Sequence, residues 1–288
     1  MKPSPKVVNV ASVPQRSPFR YPGGKTWLVP HIRAWLASRP APPALLVEPF
    51  AGGGIVGLTA AFEGLAEKVL LVELDEDVAA VWQTLVGDDN DWLAERILSF
   101  DLTEENVRRT LTASPSYVRE RAFRTLLRNR TYHGGILAAG ASLLRSGENG
   151  RGLKSRWYAA TLARRIRAIA SIRDRLMILC GDGVADISRC AGDRDAVFFI
   201  DPPYTAAGKR PGRRLYTHHQ LDHEALFAAA AHTAGDFLMT YDYSEEIAAL
   251  AQRHGFQTRT VAMKNTHHAV MSELLVGRDL RWVGSEGQ

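Results

Sequence analysis

The stretch best suited to chemistry is Val197–Tyr204, in which apolar residues run into Asp201, Pro202, Pro203 and Tyr204. A fully buried strand has this apolar character, and the prolines end it because neither can donate to a sheet ladder. The turn should place a carboxylate, a backbone carbonyl and an aromatic ring at the carboxyl end of a central strand, where open α/β sheets bind ligands. An ordinary strand that ends in a Pro-Pro turn fits these four residues equally well.

Such a cluster suits the exocyclic amine of a nucleobase, which is a poor nucleophile because its lone pair is delocalised into the ring. A carboxylate and a carbonyl that accept its two N–H protons can draw the nitrogen toward tetrahedral geometry. A neighbouring aromatic face holds the base by stacking. We therefore take Asp201, Pro202, Pro203 and Tyr204 as candidate catalytic residues.

A glycine-rich turn marks a second candidate site. The pattern predicts a strand at Ala44–Val47, the turn Glu48–Gly54, a helix over Ile55–Glu63 and a strand at Lys68–Leu74. In such a βαβ unit the glycines let a ligand approach the backbone. Glu73 lies about 20 residues past the glycines, where an acidic side chain takes ribose hydroxyls. Since no Lys-Ser/Thr follows the glycines, a nucleoside without phosphates fits better than a nucleotide.

Four more residues should lie near the same sheet edge. Gly24 and Lys25 open an amphipathic segment, where backbone N–H groups and the lysine charge favour an anion, although an ordinary glycine turn is the alternative. Asp182 follows a predicted strand at Leu176–Leu179 and could either meet an adenine amine or cap the next helix. Asp75 has the same capping alternative.

The charge distribution indicates a nucleic-acid partner. The net charge is +5, but Trp92–Arg175 has 17 Lys+Arg against 7 Asp+Glu, whereas the rest of the chain has 19 against 24. Basic charge confined to one segment is typical of phosphate binding, although a solvated helical face is the alternative. The basic loops predict these contacts with DNA: Arg128, Arg145, Asn149, Arg151, Lys154, Arg156, Lys209 and Arg210.

Composition excludes several other classes. With 288 residues and 45% hydrophobic content, the chain can form one large domain with an insertion. Cys180 and Cys190 are the only cysteines, so neither a disulfide framework nor a multi-cysteine zinc site is available, and we expect a cytoplasmic protein. No apolar run predicts a membrane span. His219 and His223 are four apart, but no glutamate follows His219, so we expect no metal.

Together these stretches resemble the Dam-type adenine-specific DNA methyltransferases of the alpha group. Pro18–Lys25 is similar to the family's N-terminal cofactor motif, Glu48–Gly54 to its glycine motif and Asp201–Tyr204 to its catalytic tetrapeptide. Ser272–Val276 resembles its closing strand, and the order of the motifs also fits. The segment Arg128–Gly134 resembles the family's DNA-contacting turn with one residue fewer.

The resemblance implies S-adenosyl-L-methionine as methyl donor, with Lys25 near the methionine carboxylate, Glu73 on the ribose and Asp182 on the adenine. The family more often has aspartate at the Glu73 position and often tryptophan at Tyr21. The implied cofactor-binding residues are Tyr21, Gly24, Lys25, Glu48, Phe50, Ala51, Gly52, Gly54, Glu73, Asp182 and Asp201. The implied DNA contacts add Arg130, Tyr132 and His133.

The implied fold is α/β, a Rossmann-like seven-stranded methyltransferase sheet with a mainly helical inserted target-recognition domain. We expect a flexible tail at 1–16, a catalytic domain formed by 17–85 and 176–288, and the inserted domain at 86–175.

The implied activity is methylation of the N6 amine of an adenine that is swung out of duplex DNA. Three alternatives stay open: methylation of cytosine N4, methylation of RNA adenine, and a non-catalytic DNA-binding regulator on the same fold. The expected partner is double-stranded DNA without a membrane, and the choice between monomer and homodimer is open.

Overall fold

The computed structural model describes residues 13–21, 23–138, 140–147, 150–203, 221–264 and 270–283. Its strands are β1 (Leu45–Glu48), β2 (Lys68–Glu73), β3 (Leu176–Cys180), β4 (Ala196–Ile200), β5 (Phe237–Asp242), β6 (Gln257–Lys264) and β7 (Val270–Gly277). Its α-helices are α1 (Val29–Ala37), α2 (Ile55–Glu63), α3 (Glu76–Val86), α4 (Asn90–Ser99), α5 (Glu104–Thr112), α6 (Val118–Thr131), α7 (Ala159–Ala170), α8 (Gly183–Cys190), α9 (His223–Ala231) and α10 (Glu245–Arg253).

Within the described residues, these strands form one seven-stranded sheet in the order β3-β2-β1-β4-β5-β7-β6. Strands β1 to β5 pair in parallel, whereas β7 lies antiparallel between β5 and β6. The strand order reverses between β1 and β4, which is where sheets of this kind bind ligands, beyond the carboxyl ends of the strands. The predicted Rossmann-like, seven-stranded α/β sheet is confirmed.

The central strands are apolar on both faces because helices cover both faces. In β4, Val197 and Phe199 belong to the core beneath α1 to α7, while Phe198 and Ile200 belong to the core beneath α8 to α10. Such strands cannot alternate apolar and polar residues, so β4 is a continuous apolar run. The burial of every residue from Ala196 to Ile200 fixes where the next residue, Asp201, leaves the sheet.

The segment between α3 and β3 is a helical layer that shares a core with the sheet. Helix α6 packs on α3, α4 packs on α7, and buried residues of all four helices belong to one continuous cluster with the strands. The division of the chain into a catalytic and an inserted domain stays a prediction. The predicted turn at Arg128–Gly134 begins later than expected, because α6 continues to Thr131.

The expected tail differs from the structure at its last residues. Residues 1–12 lie outside the described ranges, but Val13 is buried in the core and Arg16 pairs with Glu63 at 2.7 Å. A proline-rich composition therefore did not prevent residues 13–16 from packing. In the described part of the chain, no helix has both the length and the apolar character needed to cross a bilayer.

Candidate active site

The carboxyl ends of β1, β2, β3 and β4 open into one pocket. The residues between β1 and α2, the residues after β2 and the start of α8 form its walls, together with the segment around Lys25. The structure brings together every predicted cofactor-binding residue along this pocket. They are Tyr21, Gly24, Lys25, Glu48, Phe50, Ala51, Gly52, Gly54, Glu73, Asp182 and Asp201, joined by Pro202 and Pro203.

A cluster of polar side chains holds Asp201 at the end of β4. Lys25 Nζ lies 2.9 Å from Asp201 Oδ1 and 3.0 Å from Glu273 Oε1, and it donates a third bond of 3.1 Å to the Gly23 carbonyl. Thr240 Oγ1 donates to Asp201 Oδ1 at 2.8 Å. The Asp201 side chain is 20% exposed while that of Lys25 is 3% exposed, so the carboxylate reaches the pocket from a buried support.

These surroundings keep the Lys25 ammonium charged. Burial opposes the charge, but Asp201 and then Glu273 outweigh it, so the pKa of Lys25 is raised above its ordinary value. The contact between Lys25 and the methionine carboxylate stays a prediction. Three acceptors around one ammonium group, which has three protons, suit a different role in which Lys25 orients Asp201.

Thr240 and Glu273 are site residues that the sequence pattern did not identify. Thr240 lies on β5, and Glu273 lies on β7 opposite Asp242. Each is buried within a mainly apolar strand. A buried polar residue in such a strand was the available signal, because a buried polar group needs a partner. The identity of that partner depends on pairing between distant strands.

Glu48 is a buried carboxyl group at the end of β1. Its Oε2 accepts a 2.7 Å bond from the Gly57 N–H at the start of α2. Burial, partly offset by this bond, raises the pKa of Glu48 to about 8, with Asp201 and Glu73 adding to the shift. At neutral pH this side chain is therefore mostly protonated, and it can donate as well as accept a hydrogen bond along the pocket.

Glu73 supports the glycine turn from the end of β2. Its two oxygens accept bonds of 2.9 Å from the N–H groups of Gly52 and Asp75. Burial raises the pKa of Glu73 to about 7 although these bonds oppose the shift. The Trp82 indole donates to the Gly52 carbonyl at 3.1 Å, so both the N–H and the carbonyl of Gly52 are held by side chains.

Tyr21 covers the same turn. A Cβ atom added at Gly52 would lie 2.6 Å from Tyr21 Cε1, and one at Gly53 would lie 2.9 Å from Tyr21 Cβ. Gly52 also has φ of 46°, which favours glycine. The glycines therefore allow the aromatic ring and the loop backbone to approach closely, and the approach of a ligand, which the motif predicts, stays a prediction.

Asp182 and Asp75 both cap helices. Asp182 accepts from the N–H groups of Val184 and Ala185 at the start of α8, and Asp75 accepts from those of Asp77 and Val78 at the start of α3. The capping alternative is confirmed for both residues. Capping does not remove them from the pocket, which both of them also line.

A separate groove collects several of the predicted DNA contacts. Arg145, Arg151 and Lys154 line this groove together with Arg108 and Tyr132. Tyr132 also lines a second cleft beside Arg128 and Asp75, and Asp75 in turn lines the main pocket. The chain of shared lining residues leads from basic side chains to the candidate cofactor site.

Other predicted DNA contacts have different surroundings. Arg130 is buried and donates through Nε to the Pro18 carbonyl at 3.1 Å, so it faces the interior instead of a phosphate. Burial first, and then Arg165, Arg20 and Arg156, lower the pKa of Arg130 to about 9. His133 is exposed, and Arg156 is half-buried. The fully buried position of Asn129 beside Arg130 explains why this part of α6 cannot be a surface turn.

Four predicted residues lie outside the described ranges, and their roles stay predictions. They are Tyr204, Asn149, Lys209 and Arg210. Among the residues that are described, no group of three or more His, Cys, Asp or Glu side chains could hold a metal ion.

Comparisons with known proteins place this pocket in context. Residues 21–265 match the model of a family described as D12 class N6 adenine-specific DNA methyltransferase. The solved structure of the rRNA methyltransferase aviRa from Streptomyces viridochromogenes is similar, with 17% identity, a TM-score of 0.43, and coverage of 90% of this chain and 87% of that chain. The structure of the methyltransferase domain of bacterial CtHen1-CN is also similar, with 9% identity, a TM-score of 0.38, and coverage of 87% of this chain and 97% of that chain. A search among curated proteins found no match.

The raised pKa of Glu48 predicts a pH dependence of stability. The folded state keeps a proton on Glu48 up to about pH 8, whereas an exposed glutamate loses it near 4.5. Because the folded state binds more protons in this range, protonated Glu48 adds to the free energy of unfolding. This contribution is fully present below about pH 4.5 and is lost as the pH rises through 8. Between these limits the wild-type free energy of unfolding should therefore fall by on the order of a few kcal/mol because of Glu48, and Glu48→Gln should not show this fall.

Urea unfolding at pH 5.5 and pH 8.5 measures this contribution. The exposed Glu105 provides a matched control, since Glu105→Gln should keep the wild-type slope. Equal pH slopes for wild type and Glu48→Gln would show that Glu48 ionises normally in the folded protein.

Proposed function

We propose, since the chain belongs to the D12 class N6 adenine-specific DNA methyltransferase family, that it methylates the N6 amine of adenine in double-stranded DNA. The proposed methyl donor is S-adenosyl-L-methionine. The observation that carries the proposal is the position of Asp201, a partly exposed carboxylate held by Lys25 and Thr240 at the rim of the pocket.

The residues of the pocket fit the proposed donor. Glu73 ends β2 and Asp75 follows it, where carboxylates suit ribose hydroxyls, and the exposed Leu74 between them offers an apolar surface to a base. Asp182 provides a further acceptor at the end of β3. Acidic groups outnumber Lys25 in this lining, which favours a ligand with positive charge.

The bound cofactor would supply an activated methyl group on a sulfonium. The protein's part is then to position the amine, and Asp201 and the Pro202 carbonyl would accept its two N–H protons and direct the lone pair. As the nitrogen forms its bond to the methyl carbon, the carbon–sulfur bond would break and leave a neutral thioether, and one amine proton would pass to Asp201 and from there to solvent. Positioning and fixed charges carry catalysis of this kind, because the leaving group is already activated.

The target adenine would be swung out of the duplex, at a cost of a few kcal/mol, since its amine is unreachable within the stack. The predicted stacking on Tyr204, worth about 1–3 kcal/mol, would offset part of that cost. The groove formed by Arg145, Arg151 and Lys154 supports a nucleic-acid substrate because its basic side chains suit phosphate contacts, and the family favours DNA over RNA.

Asp201 provides the first test. Asp201→Ala and the isosteric Asp201→Asn should lower methyl transfer at saturating cofactor at least 100-fold, because the amine loses its ionised acceptor. Cofactor affinity should change by only a few-fold. Transfer is measured with a tritiated methyl group on duplex DNA, and Asp279→Asn, at an aspartate whose side chain is 45% exposed and pairs with Arg281, serves as the control. Undiminished turnover in both Asp201 variants would refute the role.

The same assay separates the proposal from its alternatives. Duplex DNA and RNA of the same sequence are offered to the wild-type protein, and the labelled nucleoside is identified. N6-methyladenine from DNA is the expected product. Label on cytosine or on RNA would favour another amino methyltransferase, and cofactor binding without any product would favour the non-catalytic regulator.

The basic groove provides the second test. If Arg145, Arg151 and Lys154 contact phosphates, replacing any one by alanine should lower the slope of log affinity against log salt by about 0.9. DNA affinity is measured by titration at several salt concentrations. Arg281 is the control, because it is exposed and follows the end of β7 that pairs with the start of β5, at the opposite sheet edge. Unchanged slopes for all three variants would place the DNA elsewhere.

A further inference from the structure

The short segment Ser17–Tyr21, which leads into the pocket wall, is held by side chains of α6 and α7. Three backbone carbonyls of this segment, those of Ser17, Pro18 and Arg20, accept hydrogen bonds from Arg165, Arg130 and Asn129 respectively. Backbone that leads into a ligand pocket is therefore fixed by the same helical layer that carries the predicted DNA contacts.

Asn129 makes the most complete of these contacts. Its Oδ1 accepts from the Arg20 N–H at 2.9 Å, and its Nδ2 donates to the Arg20 carbonyl at 2.9 Å and to the Gly135 carbonyl at 2.7 Å. The side chain is fully buried, so each bond would be costly to lose. The carboxamide pairs with Arg20 as a neighbouring strand would, and it joins the segment to the turn after α6.

Arg130 and Arg165 add cationic donors to the same segment. Arg130 Nε donates to the Pro18 carbonyl at 3.1 Å, and Arg165 Nη1 donates to the Ser17 carbonyl at 3.0 Å. Among the described residues, no carboxylate lies within ion-pairing distance of Arg130. A buried guanidinium that donates to a backbone carbonyl is an expensive way to provide stability alone.

The other end of the segment Ser17–Tyr21 contacts the glycine-rich turn Glu48–Gly54. Tyr21 lies against Gly52 and Gly53, and its ring packs edge-on against Phe19 with centroids 6.2 Å apart. Phe19 packs on Trp82 at 5.8 Å, and Trp82 donates to the Gly52 carbonyl. A displacement of the segment would therefore move both aromatic contacts of the glycine turn.

The bond from Asn129 to Gly135 connects the segment to the basic groove. The turn after α6 contains Tyr132, a lining residue of the groove, and Gly135, whose carbonyl Asn129 binds. Tyr132 bridges to Leu143, and the Leu144 N–H donates to the Thr131 carbonyl at 2.8 Å. Arg145 follows Leu144 directly, so the groove and Asn129 belong to one hydrogen-bonded unit.

From these contacts we propose that Asn129, assisted by Arg130 and Arg165, is a positioning residue that couples DNA binding on the groove to cofactor binding at Tyr21. This inference rests on the proposed function, since it takes DNA as the ligand of the groove. Binding of DNA would fix the turn after α6. Through its bonds to the Gly135 carbonyl and to Arg20, Asn129 would then restrict the motion of Arg20 and of the pocket wall. A ligand shifts the affinity of another site only through such differential contacts.

The test compares cofactor-site affinity with and without DNA. The probe is S-adenosylhomocysteine, which cannot donate a methyl group, titrated by calorimetry into full-length protein with and without DNA from a host lacking adenine methylation. For wild type we expect DNA to tighten binding about 5-fold or more, within the usual range of couplings between sites. Asn129→Asp keeps the size and the Oδ1 acceptor but loses both Nδ2 bonds, so the effect of DNA should fall below about 2-fold.

Asn90 provides a matched control within the same helical layer. It is also buried, and its Nδ2 donates to two carbonyls, those of Leu85 and Ile166, but it does not touch the segment Ser17–Tyr21. Asn90→Asp therefore costs the same type of bonds, and it should lower stability while DNA still tightens S-adenosylhomocysteine binding as in wild type. A purely structural role for Asn129 would make the two variants behave alike.

A milder pair covers the case in which Asn129→Asp does not fold. Arg165→Met removes the bond to Ser17 and should weaken the coupling, whereas Arg167→Met, two residues along α7 with partners Asp91 and Glu95, should not. Coupling that is unchanged in Asn129→Asp or, failing that, in Arg165→Met would overturn the inference. So would wild-type protein that methylates DNA without any change in S-adenosylhomocysteine affinity. Wild-type protein that neither binds nor methylates DNA would instead refute the proposed function.

Discussion

The placement of one ammonium group between two carboxylates organises the pocket. Lys25 comes from the segment before α1, Asp201 from the end of β4 and Glu273 from β7, so a single buried charge joins three distant parts of the chain. A buried lysine is stable only with such partners, because burial alone would strip its proton. The sheet must therefore bring β4 and β7 to either side of β5, where Thr240 adds a further bond to Asp201.

The carboxyl groups at this edge of the sheet keep a net negative charge, but their mutual repulsion is limited. Lys25 offsets one of its two carboxylate partners, and Glu48 stays protonated at neutral pH because its pKa is raised to about 8. Repulsion among Asp201, Glu48 and Glu73 is thereby reduced without removing any of them. A cationic ligand would gain from the remaining negative charge, and a polar amine would find an acceptor that is fixed in advance. These are the properties required for methyl transfer from a sulfonium to a nucleobase.

The parts of the site that follow a strand could be predicted from the sequence, because local chemistry determines them. The apolar run before Asp201 and the glycines after β1 each encode both an element and its end, so their side chains were expected at one edge of the sheet. Glu273 was different. A glutamate in an apolar strand shows only that some partner exists, and the antiparallel pairing that brings it to Lys25 depends on the whole sheet.

The predicted DNA contacts also show that the sequence does not reveal which residues tertiary packing buries. Arg130 and Arg145 are alike in type and in their basic surroundings, yet one is buried against the Pro18 carbonyl and the other lines an open groove. Charge patterns identify a basic segment, but burial decides which of its arginines can meet a phosphate. Asn129 carries no charge, and only its contacts with Arg20 reveal its position between the pocket and the basic groove.

The role of the Lys25–Asp201 pair is tested most directly by the effect of Lys25→Met on rate and on affinity. If Lys25 serves Asp201, single-turnover methyl transfer at saturating S-adenosylmethionine should fall at least 100-fold, while the dissociation constant of the cofactor stays within a few-fold of wild type. If Lys25 instead binds the methionine carboxylate, the dissociation constant should rise strongly and the rate at saturation should survive. The second result would contradict a role for Lys25 in orienting Asp201.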